Sequence, residues 1–70
     1  MNRLELILCS EAELENHLRP IDDQMQRERV PVTLRAMKGW HLFMNEHQLE
    51  IPLRDPASDR VISWFRSRVQ

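Results

Sequence analysis

A chain of 70 residues with 30% charged side chains and a formal net charge of −1 makes one small domain, without the bulk field that holds a polyanion. Its single cysteine excludes an internal disulfide, and no apolar run is long enough to cross a membrane. A core this small rarely contributes more than about 3–5 kcal/mol without a staple, so self-association is expected.

Residues 2–9, NRLELILC, set Leu4, Leu6 and Leu8 at alternate positions, with Glu5, Ile7 and Cys9 between and after them. A period of two predicts an N-terminal strand with one apolar face. Leu6-Ile7-Leu8-Cys9 resembles a lipoprotein cleavage site, but the apolar stretch is short and carries Glu5, which argues against it. The free thiol fits a reducing cytoplasm.

Ser10 to Glu13 has the form of a capping box, with a glutamate three residues after the cap. Leu14, Leu18, Ile21 and Met25 follow at spacings of four, three and four, which predicts a helix with one apolar stripe. Pro20 interrupts it. Proline brings no N–H and clashes with the preceding turn, so the helix is expected to kink or break closely there.

Val30 to Arg54 reads as an antiparallel meander of three short strands. Val32, Leu34 and Ala36, then Trp40, Leu42 and Met44, then Leu49, Ile51 and Leu53 each alternate with other residues. Met37-Lys38-Gly39 supplies a three-residue turn ending in glycine, and Glu46-His47 a two-residue turn. In this register Leu34 faces Leu42 and Leu42 faces Ile51, all on one buried side with Trp40. A helix over residues 33–47 is the rival, since Leu34, Met37, His41 and Met44 also fit helical spacing. Gly39 in its middle would cost about 1 kcal/mol relative to alanine, which favours the meander. Pro31 and Pro52 would then mark a strand start and an edge strand.

Asp55-Pro56 starts a last helix, with aspartate as cap and proline at the first helical position. Ala57, Val61, Ile62, Trp64, Phe65 and Val69 gather on its core side. Arg60, Arg66 and Arg68 suit the carbonyl end of its dipole. The expected fold is therefore α+β, in the order β-α-β-β-β-α, with both helices on one sheet face.

The other face of the meander would carry Arg35, His41, Phe43 and Glu50 as an exposed binding patch, because aromatics and arginines concentrate at interface centres. His17, His41 and His47 lie on different elements with neither HxxxH nor CxxC spacing, so no metal, cofactor or catalytic set is expected. The leading expectation is a small non-enzymatic bacterial or phage interaction protein. It would act through the sheet face or an edge strand, on a protein partner or a second copy of itself.

Helix, three antiparallel strands and helix resemble the small double-stranded-RNA-binding-type fold, including HicA-type toxin ribonucleases. Those toxins carry a catalytic histidine in a Gly-Ser-His segment opening the second strand. Gly39-Trp40-His41 stands at the comparable place, with tryptophan for serine, in a similarity spanning residues 30–68. The resemblance implies RNA as the alternative partner and His41 as a catalytic residue.

Overall fold

The computed structural model describes residues 1–68, and among them there are four helices and no strand. They are α1 (Arg3–Leu8), α2 (Glu11–Arg27), α3 (Val32–His47) and α4 (Pro56–Ser67). The fold is all-α, so the expected α+β order, the meander and the N-terminal strand are overturned. The double-stranded-RNA-binding-type likeness loses the strands that carried it.

The strand expected over residues 2–9 is a short helix because its ends are capped. Asn2 Oδ1 accepts from the Glu5 amide at 2.8 Å, and Glu5 Oε1 accepts from the Asn2 amide at 3.1 Å, a reciprocal capping box. Helical geometry then separates the three leucines. Leu6 is buried, while Leu4 and Leu8, four residues apart, face outward at 61% and 72% exposure.

In α2 the Ser10 hydroxyl accepts from the Glu13 amide at 3.1 Å, and Leu14, Leu18, Ile21 and Met25 are all buried, as their spacing requires. The helix runs unbroken through Pro20. Proline removes the donor for the Asn16 carbonyl, and both residues lie on the exposed side, where water can satisfy that group. Asp22 is buried and accepts from Gln26 Nε2 at 2.7 Å, one turn on.

The rival reading of residues 33–47 is the one that holds: α3 is continuous, with Met37-Lys38-Gly39 in its middle and Glu46-His47 in its last turn. Leu34, expected in the core, is 56% exposed, whereas Trp40, Phe43 and the backbone of Gly39 are buried. Gly39 is tolerated because it gives α3 a bare backbone spot on which the Phe65 ring of α4 rests.

Both long helices end in left-handed turns made without glycine. Arg29 (φ 57°) and Gln48 (φ 54°) occupy the position where glycine is usual. The amides of Val30 and Leu49 reach back to the carbonyls of Met25 and Met44 at 3.0 and 2.8 Å. The amides of Arg29 and Gln48 bond the carbonyls of Gln26 and Asn45, which completes a Schellman motif at each end. Val30 and Met25 are buried together, the apolar contact that accompanies such a turn.

Asp55 caps α4 as expected, its Oδ1 accepting from the Ala57 amide at 2.9 Å. The buried Ser58 hydroxyl donates to the Pro52 carbonyl at 2.6 Å and ties the preceding loop down. Helix α4 touches all three other helices and buries Ala57, Val61, Ile62, Trp64 and Phe65 among them. Val69, read as part of this face, lies outside the described residues. Arg60 does not serve its own helix dipole. Its Nη1 donates to the Leu6 and Ile7 carbonyls at 2.7 and 3.1 Å, and its Nη2 to Glu11 Oε1 at 3.1 Å, closing the C-terminal end of α1.

Candidate functional site

The short connection between α2 and α3 makes them an antiparallel hairpin, and the middle of α2, at His17, lies beside the end of α3. Outside their seam runs an open groove of about 330 Å³, lined by Pro20, Ile21 and Gln24 from α2 and Leu42, Asn45 and Glu46 from α3. Ile21 is buried and forms its floor, and the exposed Pro20 and Leu42 give it apolar walls. Gln24, Asn45 and Glu46 form a polar rim. Gln24 is held in place, because its Nε2 donates to Glu28 Oε2 at 2.6 Å and its Oε1 accepts from Arg27 Nη2 at 2.8 Å.

At the end of the same hairpin two histidines meet. The rings of His17 and His47 lie edge to face with centroids 5.3 Å apart, and Phe43 sits 4.4 Å from His47. The Met1 ammonium lies 3.2 Å from His47 Nδ1. An ammonium only donates, so Nδ1 is the acceptor and the ring proton sits on Nε2. Burial pushes His47 below its ordinary pKa of 6.5, and the Met1 ammonium and His17 push the same way, against Glu46.

The four residues expected to form one patch are dispersed. Arg35 is half-buried and donates from Nε to the Val30 carbonyl at 3.2 Å, bracing the start of α3. His41 is exposed on the outer side of α3, and Glu50 is exposed in the loop after it. Phe43 is at 0% exposure, so it is core and not a surface aromatic. Alternation in a strand would have put Phe43 opposite Trp40 and Leu42. On a helix Phe43 instead follows Trp40 by one turn, and the two rings stack at 6.4 Å.

The groove and the histidine pair were both hidden by the strand reading. Helical periodicity applied to residues 32–47 would have placed Leu42, Asn45 and Glu46 beside α2 and brought His47 to His17. Among the described residues no three His, Cys, Asp or Glu side chains converge as a metal site. No described helix is long and apolar enough to cross a membrane. No protein-family model, curated protein or solved structure matches this chain.

Proposed function

We propose that this chain is a small non-enzymatic interaction module of bacterial or phage origin, which docks an amphipathic helix of a protein partner in the α2–α3 groove. The observation that carries the reading is the make-up of that groove: an Ile21 floor and Pro20 and Leu42 walls, inside a rim of Gln24, Asn45 and Glu46. An apolar centre in a polar rim is the anatomy of a protein interface, and a helix laid in a groove is a recurrent way to fill one. Among the described residues Glu46 is the one charged side chain lining it, so the complementary helix carries an apolar anchor flanked by lysine or arginine. The free Cys9 thiol supports a reducing cytoplasm as its setting.

The test is a titration with a designed amphipathic peptide of about 15 Leu and Lys residues, long enough to form a helix when bound. Backbone amide NMR shifts should move at Ile21, Gln24, Leu42 and Asn45 and stay put on α1. Leu42→Asp should weaken binding about tenfold or more, as loss of a central anchor does. Leu34→Asp, also on α3 but outside the groove, should not. Shifts scattered over the exposed leucines would overturn the reading. So would a dimer whose interface maps to the groove, because the occupant would then be a second copy.

A further inference from the structure

We propose that the His17–His47 pair is a proton-operated latch on the α2–α3 hairpin, which releases a cationic helix from the groove when the surroundings turn acidic. This deepens the docking reading by naming its regulation, and it rests on that reading for the ligand. The geometry is specific. His17 sits one turn before Pro20 and Ile21 on α2, and His47 directly follows Glu46 on α3, so each histidine adjoins one wall of the groove.

At neutral pH the hairpin end is held by the uncharged His47 ring. His47 packs on Phe43, meets the edge of His17, and lends its Nδ1 lone pair to the Met1 ammonium. The charged or titratable groups acting on His47 are that ammonium from the N-terminal segment, His17 from α2 and Glu46 from its own helix. Uptake of a proton at Nδ1 removes the lone pair and turns it into a second donor facing an ammonium. Histidine is the side chain that makes this change between pH 5 and 8.

Two consequences reach the groove. Charge on the His47 ring loosens its packing against Phe43 and His17, a contact that joins α2 to α3 at that end. The new positive charge beside Glu46 also offsets that carboxylate's attraction for a basic helix. Both weaken docking, so the two effects do not oppose each other.

The decisive experiment has two arms. In the protein alone, the amide shifts of Ile21, Leu42 and Asn45 should follow the same midpoint as the His47 imidazole. Groove shifts that ignore that midpoint would overturn the latch, whatever the groove binds. In the second arm, affinity for the Leu/Lys peptide should fall about fivefold between about pH 7.5 and about pH 5.5, the size expected of one exposed charge contact. His17→Gln combined with His47→Gln should abolish that pH dependence. An equal fall in the double variant would assign the effect to other groups and overturn the proposal. No binding at any pH would defeat the docking reading, while the ligand-free arm would still judge the hairpin.

Discussion

A Cβ added to Gly39 would lie 2.6 Å from Cζ of Phe65 and within 2.9 Å of both adjoining ring carbons, so an aromatic ring of α4 rests directly on the backbone of α3. Phe65 is fully buried, which leaves its ring no open space to retreat into. This single approach explains how a glycine sits mid-helix in a chain that has only one.

The usual effect of replacing an exposed mid-helix glycine by alanine is a gain of about 1 kcal/mol. Here the opposite is expected. Gly39→Ala should lower stability by about 1–3 kcal/mol, the range for forcing an extra carbon into a filled core. Urea denaturation reads it directly. Pairing Gly39→Ala with Phe65→Leu should recover part of the loss, because the shorter side chain vacates the contested space. Simple addition of the two single losses would show that the contact is not the cause.

The left-handed residues at the helix ends are expected to behave in reverse. Arg29 and Gln48 hold φ near +57° and +54°, a region that a side chain with a Cβ enters at a cost. Arg29→Gly and Gln48→Gly should each stabilise by about 0.5–1 kcal/mol, after the greater flexibility of glycine in the unfolded chain is counted. A raised denaturation midpoint at unchanged slope would show it. A loss in either variant would mean that the arginine or glutamine side chain contributes more than its backbone strain costs.

How far the sequence disclosed this molecule depends on which signal each segment carries. Local capping chemistry was legible: Ser10 and Asp55 cap helices, and the stripe from Leu14 to Met25 is buried along its length. Residues 30–54 misled because alternate and helical spacings both fit Leu34 and Met44, and glycine tipped the choice toward a turn. The deciding fact, that Phe65 sits on Gly39, joins residues 26 apart and has no local trace. The ends of α2 and α3 were silent for a related reason, since neither left-handed position holds the glycine that marks one. Of the expected site residues, Phe43 went into the core with the helix. The groove residues became neighbours only once α3 was a helix.

Arg60 gives a prediction about local rather than global order. Its guanidinium, 21% exposed at the side chain, supplies donors to two carbonyls at the end of α1 and also contacts Cys9 Sγ at 3.2 Å. A six-residue helix has little stability of its own. Arg60→Ala should therefore cost about 1–3 kcal/mol, the scale of leaving such groups without partners. It should also speed amide hydrogen exchange in α1 well beyond that in α3. Arg60→Lys should restore only part of the protection, because an ammonium lacks the planar fork that spans both carbonyls and Glu11. Uniform acceleration across all four helices would show that Arg60 supports the whole core instead.

The acid side of the stability curve should fall in two steps, and the sign of each follows from its group. His47 is pushed below 6.5 in the folded chain, chiefly by burial, so the unfolded chain binds its proton first. Stability from this group is complete above about pH 6.5 and declines as the pH falls below that value, levelling once the folded ring is protonated too. Asp55 is held below its ordinary 3.8, first by the hydrogen bond from Arg3 Nε at 2.8 Å and then by the Ala57 amide. Its contribution is present above that value and is lost as the pH falls through the lowered one. His47→Gln should flatten the upper step alone. Asp55→Asn keeps a good helix cap while removing the titrating charge, so it should flatten the lower step alone. Thermal midpoints measured from about pH 8 to about pH 2 separate the two, since the ordinary values of histidine and aspartate lie well apart. If the upper step survived in His47→Gln, the neutral imidazole would not be what holds the α2–α3 end together.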